Sequence, residues 1–208
     1  MGETSKELRR RDEIKMSFVG IMKSHFGLVA FGDSQSTRFD IAGNPYRDEM
    51  RQVKKVFKAN SFLLVTYGTN TVIRDDKEVP LEDIMNFLLE KQETSLEEFL
   101  KRLNKEFLES YAYGREYHFI FGKKDDKEYT LNTADLSKEG ITYGKYLLES
   151  CIFCKTSMAV DNMVINCHWS IEKMKSAAEM WCQSVIDMGD TFLEYNPVGK
   201  PIIIESLF

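Results

Sequence analysis

Two apolar runs, Phe18-Val19-Gly20-Ile21-Met22 and Leu28-Val29-Ala30-Phe31-Gly32, flank the turn His25-Phe26-Gly27. Neither run alternates with polar residues. An antiparallel sheet that is open to water on one side shows alternation, so a hairpin without a polar face must be covered on both sides. This constraint asks for stacked layers. The chain of 208 residues can supply them, with 43% hydrophobic residues and only 4 Pro and 12 Gly. That balance excludes a disordered, collagen-like or linker protein. A net charge of −5 gives no global positive field for nucleic acid or anionic lipid. The longest apolar runs, Phe62 to Val65 and Ile202 to Ile204, are too short to span a bilayer. Residues 1–15 are polar and charged, without the apolar stretch of an export signal, which predicts a cytoplasmic protein.

Further along, residues 38–51 read as a polar loop around Gly43-Asn44-Pro45. Strands are expected at Val53 to Lys58 and Phe62 to Tyr67. Leu81, Ile84, Met85, Leu88 and Leu89 recur at helical spacing between Pro80 and Glu90. Ser95, followed by Glu97 and Glu98, has the chemistry of a helix N-cap, and its helix carries Leu96, Phe99, Leu100, Leu103, Phe107 and Leu108. A second strand block follows at Tyr117 to Phe121, Glu128 to Asn132 and Tyr146 to Cys154. A long helix is predicted from about Ser170 to Met188, then short strands near Phe192-Leu193 and at Pro201 to Glu205. Hairpin-linked strands separated by helices predict an α+β fold, a four-layer α/β/β/α sandwich of two antiparallel sheets. Residues 1–16 read as a leader and 17–208 as one domain. No dinucleotide, P-loop, zincin or nucleophile-elbow motif occurs.

The cysteines are Cys151, Cys154, Cys167 and Cys182. Without an export signal they are expected as reduced, buried thiols. Cys151 and Cys154 have zinc-ligand spacing, but strand alternation would point them to opposite faces, and Cys167-His168 are adjacent, which is awkward for tetrahedral closure. His25, His118 and His168 are scattered in sequence with no ligand spacing. The expectation is therefore no metal and no cofactor. The basic residues Arg47, Arg51, Lys54, Lys55 and Lys58 read as a solvated loop with an internal lysine.

From Ser17 to about Thr69 the sequence resembles the proteasome-type β subunits of the N-terminal-nucleophile hydrolase superfamily. The family's G-(V/I)-(V/I)-(V/L)-A-x-D-(S/T)-R-x-T corresponds to Gly27-Leu28-Val29-Ala30-Phe31-Gly32-Asp33-Ser34-Gln35-Ser36-Thr37, and its lysine strand to Val53-Lys54-Lys55-Val56-Phe57. The ending Val198-Gly199-Lys200-Pro201-Ile202 is similar to that of several bacterial members. Spacing from nucleophile to aspartate is kept without a gap, which sets Ser17 where the family has its catalytic Thr.

The resemblance implies an amide or peptide hydrolase in which Ser17, freed of the leader, attacks a carbonyl while its own α-amino group takes the proton. Lys55 would lower the pKa of that amine, Asp33 would hold Lys55, and a backbone N–H at Gly68 or Thr69 would face the oxyanion. Peptide or protein substrates and a homo-oligomeric ring are implied. The competing expectation is a non-catalytic assembly or binding protein that keeps its leader. Departures from the pattern favour the competitor. Gln35 stands for the family's arginine, Met16 for the glycine before the nucleophile, and Gly68-Thr69 for a glycine pair. A Ser-Gly is not recognisable near Cys154-Lys155-Thr156-Ser157, and Glu194 to Gly199 replaces D-x-x-S-G.

Overall fold

The computed structural model describes residues 17–42, 44–90, 95–126, 128–145, 151–154 and 165–208. The leader, residues 1–16, and Cys154-Lys155-Thr156-Ser157 beyond Cys154 lie outside the described residues, as does most of the strand expected from Tyr146.

The opening hairpin forms as expected. Strand β1 (Val19–Ser24) pairs antiparallel with β2 (Gly27–Asp33), Val19 opposite Gly32 and Ser24 opposite Gly27. Gly27 is required at the turn exit. Its φ is +149°, and a Cβ there would lie 2.4 Å from the Leu207 carbonyl oxygen. Strand β12 (Cys151–Cys154) adds beside β1, and β13 (Ile202–Leu207) beside β2, giving a four-stranded sheet.

The second sheet has the order β11-β10-β9-β6-β5 and is antiparallel throughout. Its strands are β5 (Val56–Lys58), β6 (Phe62–Gly68), β9 (Tyr117–Asp125), β10 (Glu128–Ser137) and β11 (Gly140–Lys145).

The doubly apolar strands are explained by what each face meets. Leu28 and Ala30 of β2 join Val19, Ile21, Val56, Leu63, Val65 and Ile120 in a core between the sheets. Val29 and Phe31, the alternate residues, pack with Met174, Ala178, Cys182 and Val185 of helix α4 (Ile171–Phe192). On the second sheet, Phe62 and Leu64 turn outward. They meet Leu81, Ile84 and Met85 of α1 (Leu81–Glu90) and Phe99, Leu100 and Leu103 of α2 (Leu96–Glu106). A period of two distributes one strand over two cores, so both faces are apolar. Helices thus cover the outer faces of two stacked antiparallel sheets. Among the described residues no helix is long and apolar enough to cross a membrane.

Several elements differ from expectation. Residues 38–51 are not a loop but most of a hairpin of β3 (Gln35–Phe39) and β4 (Pro45–Gln52), whose polar composition hides it from a hydrophobic pattern. A second hairpin, β7 (Thr71–Arg74) and β8 (Lys77–Pro80), turns at Asp75 and Asp76, both at positive φ. The Glu109 carboxylate accepts both of their N–H groups, at 2.9 and 2.8 Å.

The helix expected to run through Leu108 breaks at Phe107, which is buried and stacked on Tyr117 with centroids 3.8 Å apart; α3 (Leu108–Ala112) follows. Phe192 is in α4, not in a strand. The Thr191 hydroxyl donates to the Asp187 carbonyl at 2.7 Å, and Leu193 N–H donates to the Gly189 carbonyl at 3.0 Å, which continues the helix past Met188.

Candidate active site

Asp33 is the last residue of β2 and is fully buried. Its Oδ1 accepts the Phe18 N–H at 3.0 Å. Its Oδ2 accepts the Gln35 N–H at 3.1 Å and the Lys55 Nζ at 2.8 Å. The Asp33 N–H donates in turn to the Phe18 carbonyl at 3.1 Å. Lys55 is buried just before β5, and its carbonyl accepts the Thr66 N–H of β6 at 3.0 Å. Removing two charges from water costs several kcal/mol per ion, of order, and is offset only by a close pair with its remaining donors and acceptors satisfied. Here the carboxylate receives three donors, two of them backbone N–H groups.

Ser17 is buried at the entry to β1, one residue before the N–H held by Asp33. The structure therefore brings together Asp33, Lys55 and the backbone that carries Ser17. Gly68 ends β6 opposite Tyr117, with φ +82°, and a Cβ there would face the His118 ring at 3.5 Å. Among the described residues, no hydrogen bond of Asp33 or Lys55 reaches Gly68 or Thr69.

The return from α4 closes over this pair. Gln35 Nε2 donates to the Asn196 carbonyl at 2.6 Å and to Tyr195 Oη at 3.2 Å. The Ser34 N–H points to the Gly199 carbonyl at 3.4 Å. Asn196 spends its side chain on its own segment and on α4: Oδ1 accepts the Val198 N–H, and Nδ2 donates to the Ile186 carbonyl and to Asp190. Gly189 leaves the room, because a Cβ there would meet the Asn196 side chain at 2.4 Å. Three buried polar atoms, Ser34 Oγ, Gln35 Oε1 and Thr66 Oγ1, have no hydrogen-bond partner among the described residues. Beyond Gln35 a cleft of about 600 Å³ opens between β4 and the end of α4, lined by Tyr46, Arg47, Asp190, Glu194, Tyr195 and Asn196.

The cysteines divide. Cys182 is buried against this region; burial raises its thiol pKa well above the usual value, and the Asp33 charge adds to the effect. Cys167 is exposed, which corrects the expectation that all four thiols are buried. The histidines are also less scattered than their sequence positions suggest. His25 and His168 have ring centroids 5.2 Å apart, and ligand atoms of His25, Cys167 and His168 all lie within 4.8 Å of one another. Adjacent Cys and His at 167 and 168 were the only signal in the sequence. His118, beside Gly68, pairs with Asp135 at 2.7 Å and stacks on Tyr67.

Solved structures resemble the chain over most of its length. Anbu from Hyphomicrobium sp. strain MC1 superimposes with a TM-score of 0.53 at 15% identity, covering 90% of this chain and 80% of that one. The fold is similar to that of Anbu, a bacterial proteasome-like protein. The Anbu (Gly-1) mutant from the same strain gives a TM-score of 0.52 at 14% identity, with 91% of this chain and 81% of that one covered. No family model matches the chain, and no curated protein matches it. These findings correct the identification of the chain as a proteasome β-subunit-like N-terminal-nucleophile hydrolase. Its sequence motifs do not carry membership, and the likeness to Anbu is one of fold.

Proposed function

We propose that the chain is an amide hydrolase of the N-terminal-nucleophile type, acting on peptide bonds through Ser17 once the residues before it are removed. The observation that supports this best is the buried Asp33–Lys55 pair at 2.8 Å, with the other Asp33 oxygen on the Phe18 N–H. It anchors an ammonium group beside the backbone of the nucleophile. With Ser17 first in the chain, Oγ bonds to the substrate carbonyl carbon and its proton passes to the α-amine. The carbonyl–nitrogen bond breaks, the leaving amine takes that proton, and water hydrolyses the ester to restore Ser17. The α-amino group has an intrinsic pKa of about 8, and like-charge repulsion from Lys55 would keep it unprotonated. N–H groups at Gly68 or Thr69 would receive the oxyanion. Assembly into a homo-oligomeric ring in the cytoplasm, and independence from nucleic acid and membrane, belong to the same reading.

A second reading, a non-catalytic assembly or binding protein, is favoured by the segment 194–199. Buried Val198 offers no hydroxyl, and Asn196 is committed to its own segment and to α4. Intact mass and turnover of fluorogenic peptide amides separate the two. The hydrolase predicts a chain beginning at Ser17 and turnover, both abolished by Ser17→Ala. A chain that keeps its leader and shows no turnover establishes the second reading.

A further inference from the structure

We propose that the β1–β2 turn and the loop before α4 form a binding site for a zinc-type divalent transition-metal ion, ligated by His25, Cys167 and His168. The site is independent of Ser17 and its neighbours. Its three donor atoms already lie within 4.8 Å of one another, and all three residues are exposed. In a tetrahedral zinc site with metal–nitrogen and metal–sulfur bonds of about 2.0–2.3 Å, donors stand about 3.3–3.7 Å apart. The donors therefore close by about 1 Å on binding, which exposed side chains reach by small χ rotations.

The backbone beneath is fixed. His25 N–H donates to the Cys167 carbonyl at 2.8 Å, which registers the hairpin turn against the loop. Phe26 N–H donates to Ser24 Oγ at 3.1 Å on the hairpin side. On the loop side, Asn166 Oδ1 accepts the His168 N–H at 2.9 Å, and its carbonyl accepts the Trp169 N–H at 2.9 Å. That tight turn solves the difficulty of adjacent ligands. In a strand, residues 167 and 168 would point to opposite faces, whereas here both reach His25. One thiolate and two imidazoles suit zinc, or cobalt in its place, and are poor ligands for magnesium or calcium. Three protein ligands leave a fourth position for water.

The test uses the full chain, stripped with chelator and titrated anaerobically with Co²⁺. Tetrahedral ligand-field bands and a sulfur-to-cobalt charge-transfer band are expected, saturating at one equivalent and displaced by Zn²⁺. Cys167→Ser removes the charge-transfer band. His25→Ala and His168→Ala weaken binding at least as much as loss of an outer partner does, about 10–100-fold. All three side chains are exposed, so circular dichroism should stay unchanged. The Cys151→Ser/Cys154→Ser variant is expected to keep the bands. The proposal is overturned if the unsubstituted chain shows no tetrahedral bands, if they survive Cys167→Ser undiminished, or if they vanish only with Cys151 and Cys154.

Discussion

Replacing Asp33 by Asn keeps the shape of the side chain and removes its charge. Oδ1 can still accept the Phe18 N–H, but the Nδ2 that replaces Oδ2 is a donor facing the Gln35 N–H, and the Lys55 ammonium is left buried without a counter-ion. Breaking one side of a buried pair costs about 3–5 kcal/mol, most of it the penalty of the abandoned charge. Urea denaturation of Asp33→Asn should show a loss of at least that size, and adding Lys55→Met should restore the part owed to the abandoned charge, leaving the Gln35 N–H unpaired. A double variant as unstable as the single one would mean that the carboxylate acts mainly through its backbone bonds. Both residues were picked out through the resemblance, Asp33 within Gly27 to Thr37 and Lys55 within Val53 to Phe57, because each of those patterns is confined to one short stretch of chain. The cluster of His25, Cys167 and His168 was not. Its members come from distant stretches of chain, and the fold brings them together through the His25–Cys167 backbone bond and the His25–His168 ring contact.

At the scale of elements, helix α4 carries the outer cover of the first sheet, and its start depends on one hydroxyl. Ser170 Oγ accepts the Lys173 N–H at 3.3 Å. Ser170→Ala leaves that N–H to solvent and should cost about 1 kcal/mol, against a few tenths for Ser170→Gly. Thermal melts of the two variants would check the order; an unshifted melt for Ser170→Ala would mean that the hydroxyl contributes nothing as a cap. The apolar stripes of α1, α2 and α4 and the cap at Ser95 could be recognised because helical periodicity is written within a few turns. The β3–β4 and β7–β8 hairpins could not. Their strands pair outside the two main sheets and carry charged residues, so what specifies them is the turn and the partner, such as Glu109 beneath Asp75 and Asp76.

For the whole molecule, the spacing of the two sheets rests on small residues at their contact. A Cβ at Gly32 would lie 2.9 Å from Val19 Cγ1 and 3.1 Å from Val56 Cγ2, both on stiff β-branched side chains. Gly32→Ala must push the sheets apart or force these rotamers, at about 1–3 kcal/mol. Denaturant midpoints would measure it, and an unchanged midpoint would show that the interface yields freely. The amino-acid sequence by itself determined that the sheets are stacked and covered, since strands apolar on both faces cannot meet water on either. It also determined which faces the helices bury. Tertiary structure alone decided which chemistry is shared: Gln35 with the 195–196 segment, His25 with Cys167 and His168, and Asp33 with Lys55 and the Phe18 N–H. The physical reason is range. Periodicity and spacing act over a few residues of chain, whereas a site is assembled by packing whole layers whose sequence separation carries no trace of their distance in space.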